Sequence, residues 1–378
     1  MNILIIGGQF NNKGAYLMIL TVVKELQKRV DNATIVMSNY LPLPSALQKL
    51  NIKLLKTPLL HVGYSHSHYK RNLKFGSIVN LYKSYPKGEV SLKDIDIIVD
   101  IAGFAYGDLW GITPLKNLNF LLDYASKNNI KYIALPQAFG PFEKPGLKEE
   151  MKSIISKANL IFARDKISKV YLNEIYGDNQ NIKLAPDITL SFESEDIEKI
   201  EEKYCCVVPN ERMLDKGDKA WKQNYVPLLV ELINEVLAKE IKVKILVHDT
   251  TSGDAIIAEE VKNEKCEIVV IDEPTKIKKL IANSYFLIGS RFHSLASALS
   301  CNVPSIGIGW SHKYQMLFEE YGMEDYVFEK FDQKQILNLL SELVKDYVNL
   351  NIRSLLMKNN EVIRKRNEEM WSELILCF

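Results

Sequence analysis

The strongest constraint on this chain is an alternation of short, wholly apolar runs with amphipathic stretches, a series that occurs twice. Residues 3–6 are Ile-Leu-Ile-Ile. A run that is apolar at every position must be covered on both faces, which is the situation of a strand inside a parallel sheet. A helix is expected over 14–30, with Leu17, Leu20, Val23 and Leu26 on one face. Strands follow at 33–37, 95–101, 132–135 and 160–163, with helices near 115–128, 146–157 and 166–176. A charged stretch at 193–203 reads as a solvated helix or linker. The series then restarts, with strands at 204–208, 243–247, 268–271, 286–288 and 305–308. Helices are expected at 222–238, 254–262, 275–283, 293–300 and 313–321, and two more runs, 333–347 and 350–373, close the chain.

The expected fold class is therefore α/β, with two Rossmann-like domains, 1–191 and 204–330, and C-terminal helices over 331–378 packing back on them. At about 150 residues per domain, 378 residues accommodate this division. Open parallel sheets bind ligands beyond the carboxyl ends of their strands, so two in tandem should face a cleft. Only the segment 61–93 fits neither periodicity. It carries His61, His66, His68, Lys70, Arg71, Lys74, Lys83 and Lys87 and reads as an irregular basic loop touching an anionic ligand.

Charge narrows the function. The 48 Lys and Arg against 47 Asp and Glu leave a net charge of +1, which argues against a nucleic-acid-coating protein. The five cysteines form no CxxC pair and read as small buried hydrophobes in a reducing compartment. No apolar run approaches the ~18 residues of a membrane span. A cytoplasmic protein is expected, with peripheral contact at the inner face of the membrane left open.

Seven constellations fall at predicted strand ends. Gly7-Gly8-Gln9-Phe10-Asn11-Asn12-Lys13-Gly14 joins the first strand to the first helix without the GxGxxG or P-loop spacing. It reads equally as a ligand-approaching loop or as a tight turn capped by Asn12. Asp100 interrupts a buried strand and Asp108 follows in a Gly/aromatic loop. Both suit recognition of polyol hydroxyls, although Asp100 could instead cap its own loop. Gln137 points from a Pro/Gly-shaped loop, and Arg164 precedes Asp165, a helix cap, where it either pairs with an acid or faces ligand. Only eight cations are Arg, so Arg212, at the end of the second domain's first strand, draws attention as a fork for carboxylate or phosphate. Arg291 and His293 sit at a strand-to-helix turn, combining an anion site with a proton donor. His312 and Lys313 follow the next strand, and His248 completes a rim expected to be cationic.

These motifs resemble the polysaccharide pyruvyltransferase family from the Asn12-Lys13-Gly14 turn to about Tyr321. The resemblance is carried by Val99-Asp100-Ile-Ala-Gly103-Phe with Trp110-Gly111, by Leu135-Pro-Gln-Ala-Phe-Gly-Pro141, and by Ala163-Arg164-Asp165 and Ala185-Pro186-Asp187. It continues through Pro209-Asn210, Gly289-Ser-Arg291-Phe-His293-Ser and Gly309-Trp-Ser-His-Lys313-Tyr. The sequence departs from the family at Ala15 and Tyr16, where an acidic residue is common. The resemblance implies a GT-B-like architecture, with an acceptor side in the first domain and a donor side in the second. It also implies transfer of pyruvate from phosphoenolpyruvate to two sugar hydroxyls as a ketal, in the building of a polysaccharide of the cell envelope. On that reading Arg212 and Arg291 clamp the donor, His293 is the acid, and Asp100 or Asp108 handles the acceptor hydroxyls. Lys313, His312, His248, Asn12, Gly14, Gln137 and Arg164 are the further binding candidates.

The acceptor expected is a glycan or a lipid-linked or nucleotide-linked sugar. No obligatory cofactor is expected beyond phosphoenolpyruvate as donor substrate. A divalent metal on His61, His66 and His68 finds no support in the spacing. Two alternatives compete. One is a GT-B glycosyltransferase using a nucleotide sugar, against which counts the absence of a carboxylate within 289–312. The other is a non-catalytic glycan-binding protein.

Overall fold

The computed structural model describes residues 1–38, 43–57, 59, 65–82, 87–193, 203–250 and 253–378, with the backbone alone over 75–82. His61, Lys83 and 194–202 of the charged stretch lie outside the described residues. The chain divides into two compact units. One comprises Met1–Phe10, Met18–Ile188 and Arg366–Phe378, the other Asn11–Leu17 and Thr189–Lys365.

The first unit holds a seven-stranded parallel sheet. Its strands are β1 (Asn2–Ile6), β2 (Thr34–Ser38), β3 (Lys53–Leu55), β4 (Ile97–Asp100), β5 (Lys131–Gln137), β6 (Leu160–Ala163) and β7 (Ile182–Leu184), in the order β3-β2-β1-β4-β5-β6-β7. The order reverses between β1 and β4, which pair with Ile6 opposite Asp100. Helices Thr113–Lys127, Leu147–Lys157 and Lys166–Tyr176 pack on it as amphipathic crossovers, burying Leu115, Leu118, Leu121 and Leu122 from the first of these. Each such side chain taken from water contributes about 1.5–3 kcal/mol.

The second unit repeats the plan with β8 (Tyr204–Val208), β9 (Lys242–Val247), β10 (Cys266–Val270), β11 (Phe286–Gly289), β12 (Ser305–Ile308) and β13 (Val327–Phe328), in the order β10-β9-β8-β11-β12-β13. Its reversal lies between β8 and β11, paired with Val208 opposite Gly289. Every residue of β8, β11 and β12 is buried, Ser305 included, as runs without a charged residue allow. Cys205 and Cys206 are fully buried within β8.

Two expectations are corrected. The basic segment is not irregular throughout, since His66–Tyr82 is a helix. Its buried turn is Tyr69 with Asn72, which is 3% exposed, and a polar residue in the buried stripe hides the period. The first helix, Lys13–Arg29, begins in the second unit, because Asn11–Leu17 goes with that unit. The terminal helix Asp346–Leu376 is divided between the units, through Lys365 in the second and from Arg366 in the first.

Candidate active site

The loops following β8, β9, β11 and β12 all leave the carboxyl edge of the second sheet, two of them at the point where strand order reverses. Ser290, directly after β11, is the fixed centre of this edge. Its N–H donates to Val208 O, its Oγ accepts from Tyr225 OH at 2.9 Å, and its carbonyl accepts from Asn210 Nδ2 at 2.7 Å and Tyr314 OH at 2.9 Å. Asn210, Tyr225 and Tyr314 are almost wholly buried, so these bonds hold the following residues, Arg291 to His293, on a rigid base.

Arg291 is engaged by carboxylates that come from the loop after β9 and the helix Asp254–Val261. Nε donates to Asp254 Oδ2 at 2.8 Å and Nη2 to Asp254 Oδ1 at 2.6 Å, while Nη1 reaches Asp249 Oδ2 at 3.5 Å. Burial lowers the guanidinium pKa, but the attraction and hydrogen bonds of Asp254, with Asp249 behind them, leave it raised. Asp254 is itself fully buried and accepts from Glu211 N. The expected cationic rim is therefore mixed in charge, and carboxylates do stand beside residue 291. They are simply not encoded within 289–312.

His293 lies on the first turn of the helix Phe292–Ser300. Gly14 lies directly against it: a β-carbon at residue 14 would overlap Cγ and Nδ1 of the imidazole. The turn is fixed by Asn12, whose Oδ1 accepts from Gly14 N at 3.1 Å and Ala15 N at 3.3 Å, and whose backbone bridges Asp249 antiparallel. Asn12 thus caps the helix, and Gly14 permits close approach to His293, a contact within the second unit rather than on the first domain's acceptor side.

His248, after β9, is 3% exposed, and its Nδ1 has no hydrogen-bond partner. Burial, then the charges of Arg291, His293 and Lys13, hold its pKa well below that of a free imidazole. It is neutral at physiological pH. Lys313 Nζ lies over Trp310 at 4.8 Å, Tyr314 at 5.3 Å and Phe292 at 5.6 Å from the ring centroids, and His312, half-buried, opens the helix His312–Glu320. Arg212, the other expected half of the donor clamp, is engaged elsewhere by its own helix. It sits on the short helix Arg212–Asp215, half exposed, with its guanidinium on Asp215.

In the first unit the expected acceptor residues are tied into the structure. Asp100 is 0% exposed; Oδ2 accepts from Tyr106 at 2.7 Å and Tyr132 at 2.8 Å, and Oδ1 from Ala102 N at 2.9 Å. Burial raises its pKa against the pull of those bonds. It caps its own loop, so its placement as a substrate-handling carboxylate is corrected. Asp108 accepts from Glu143 N and Lys144 N, which pins the 141–146 turn. Gln137 is fully buried and donates to Asp100 O. Arg164 takes the structural alternative, pairing with buried Asp187 at 2.8 Å. Of the basic segment, His66 binds Asn117, and Lys70 and Lys74 lie over Phe120. Among the described residues no group of three metal-ligating side chains comes together, and no helix is long and apolar enough to cross a membrane.

Sequence reasoning overlooked Lys13, Asp254 and Asp272 as neighbours of the site. Asp254 carried only the signal of an acid on a helix's first turn, and Lys13 that of a cation beside a glycine.

A family model described as polysaccharide pyruvyl transferase matches residues 12–312. No curated protein matches the chain in sequence. Among solved structures, MnaA of S. aureus, determined with UDP, has a TM-score of 0.61 at 14% identity, covering 99% of this chain and 94% of its own. UDP-GlcNAc 2-epimerase of Neisseria meningitidis bound to UDP-GlcNAc has a TM-score of 0.61 at 11% identity, with 99% and 100% covered. HepE of Anabaena, solved with UDP and glucose, has a TM-score of 0.57 at 12% identity, with 98% and 99% covered. At such identities the likeness is one of fold: two parallel sheets with flanking helices, of the GT-B-like class.

Proposed function

Because the chain belongs to the polysaccharide pyruvyl transferase family, we propose that it transfers the pyruvyl group of phosphoenolpyruvate to two hydroxyls of one sugar, forming a ketal. The observation that carries this reading is the grouping of Lys13, His248, Arg291 and His293 at one sheet edge, with Gly14 packed on His293. A proton goes to the methylene carbon of the enol, leaving an oxocarbenium-like C2. One hydroxyl adds there with loss of its proton, the C2–O bond to phosphate breaks, and the second hydroxyl adds with loss of its own. The products are the ketal and inorganic phosphate, with no water consumed.

His293 is the acid, since imidazole is the side chain able to hold and release a proton near neutral pH. Its ring is fixed by the Gly14 turn, with Phe292 edge-on at 5.3 Å between ring centroids. Arg291, oriented by its two-pronged donation to Asp254, stabilises the carboxylate or the departing phosphate through Nη1, which reaches Asp249 only at 3.5 Å. His248, kept neutral, offers a hydrogen-bonding nitrogen without adding charge. Lys313 adds a cation held by aromatic faces. The acceptor is a glycan or a lipid-linked or nucleotide-linked sugar, processed in the cytoplasm or at a membrane face.

The test is incubation with phosphoenolpyruvate and a panel of such sugars, read by mass spectrometry and phosphate release. A product heavier by one pyruvic acid less water, with equimolar phosphate, is expected. Phosphate release without that product, or neither, overturns the proposal. A second reading, a nucleotide-sugar enzyme, is favoured by Asp249 and Asp254 beside Arg291 and by the UDP in related folds. Titration that finds UDP-sugars bound and turned over without phosphoenolpyruvate would decide for it.

A further inference from the structure

Lys13 is in an unusual position for a lysine. Its side chain is 7% exposed, yet its ion-pair partner, Asp272 in the loop after β10, is 91% exposed, at 3.1 Å. Removing an ammonium from water is costly unless its partner is held with it, and a pair with a solvated carboxylate returns little. Lys13 also stands among like charges, because its field, with those of Arg291 and His293, reaches His248. A lysine serving only to pin a helix to a loop would gain nothing from that company. A lysine that meets an anion would, since several cations around one polyanion each gain. The nearly buried Nδ1 of His248, without a hydrogen-bond partner, is a second sign that the place is completed by a ligand.

We propose that Lys13 binds the phosphate of the donor and that Asp272 is a competing counter-ion, released as the phosphate arrives. This rests on the donor reading above and adds one residue and one exchange to it. The segment Asn11–Leu17 belongs to the second unit for that reason: it delivers a cation and the glycine that seats His293. No bond is made or broken in the exchange, which transfers one ammonium from a carboxylate to a phosphate oxygen.

Inorganic phosphate is the probe, followed by calorimetric titration of the full chain, with melting temperatures recorded in parallel. Lys13→Met is expected to weaken phosphate binding about 10–100-fold, the range of a lost charged hydrogen bond, and Lys13→Arg to restore part of it. Asp272→Asn is expected to tighten binding about 2–5-fold, since an exposed pair competes only weakly. A structural pin predicts the reverse pattern, with both variants losing stability and neither changing phosphate affinity. Unchanged affinity in Lys13→Met, or no phosphate binding by the wild type, overturns the proposal. If phosphate binding depends on Lys13 while phosphoenolpyruvate is neither bound nor consumed, the anion site stands and the pyruvyl-donor reading fails. If phosphoenolpyruvate is consumed with the same KM by Lys13→Met, the donor reading stands and this proposal fails.

Discussion

A β-carbon added at Gly14 would overlap the imidazole of His293, so replacing that glycine by alanine forces either the ring or the Asn12 turn to move. The turn is held by two Asn12 bonds and a backbone bridge, so the ring is the softer party. Gly14→Ala should leave the fold intact by circular dichroism and lower kcat/KM by about 10²-fold, the cost of misplacing a catalytic group by an ångström. Equal activity in the variant would mean that His293 does not act on substrate. His248 makes a prediction about pH. Its folded pKa lies well below that of the unfolded imidazole, about 6.5. Below pH 6.5 the unfolded chain therefore takes up a proton that the folded one refuses. The stability associated with neutral His248 is present above that pH and is lost as pH falls, at up to about 1.4 kcal/mol per pH unit. Urea unfolding at pH 7.5, 6.0 and 5.0 should show this slope in the wild type and a shallower one in His248→Asn. Identical slopes would remove His248 from the account.

At the scale of elements, Arg164 closes β6 onto the residues after β7 through Asp187. Both are almost fully buried, at 5% and 1% side-chain exposure. Removing one partner strands a buried charge, so Asp187→Ala should cost about 3–5 kcal/mol, while Arg164→Met with Asp187→Leu should cost much less. Equilibrium denaturation of the wild type and these two variants gives the comparison, and a double variant as unstable as the single one would refute the pairing argument. The same element shows what a sequence discloses. Strands such as 204–208 and 286–288 are legible because an unbroken apolar run has few other fates, and β3, β7 and β13, with two or three residues each, are too short to show a pattern. His293, His248 and Arg291 are legible as candidates because each lies within four residues of a strand's carboxyl end. Their partners are not. Asp254 reaches Arg291 across 37 residues of sequence and Lys13 reaches Asp272 across 259, and no local pattern records such pairings. For the same reason Asp100 and Arg164 resembled ligand-facing residues until the tyrosines and the aspartate that occupy them were placed.

At the scale of the whole molecule, the chain enters the second unit at Asn11, leaves it after Leu17, returns at Thr189, and gives its last thirteen residues, Arg366–Phe378, back to the first. Those residues are held by their own contacts there. Glu368 receives Arg29 at 2.7 Å, Cys377 O accepts from Lys131 Nζ, Glu373 pairs with Lys183, and the Arg29 guanidinium lies over Trp371. The exposed ion pairs contribute little. The weight rests on Met370, Trp371 and Leu374, at 2%, 0% and 0% exposure. At about 1.5–3 kcal/mol each, the three together rival the whole ~5–15 kcal/mol by which a domain is stable. A chain ending at Lys365 should therefore lose the calorimetric transition of the first unit, or show it far lower. The second unit, whose residues are all retained, should keep its transition and its phosphate affinity. Trp371→Ala in the full chain is the gentler version: a shift of about 3–5 kcal/mol confined to the first unit's transition. If both transitions move together by the same amount, the terminal segment stabilises the molecule as one cooperative body, and the assignment of its thirteen residues to the first unit has no thermodynamic meaning.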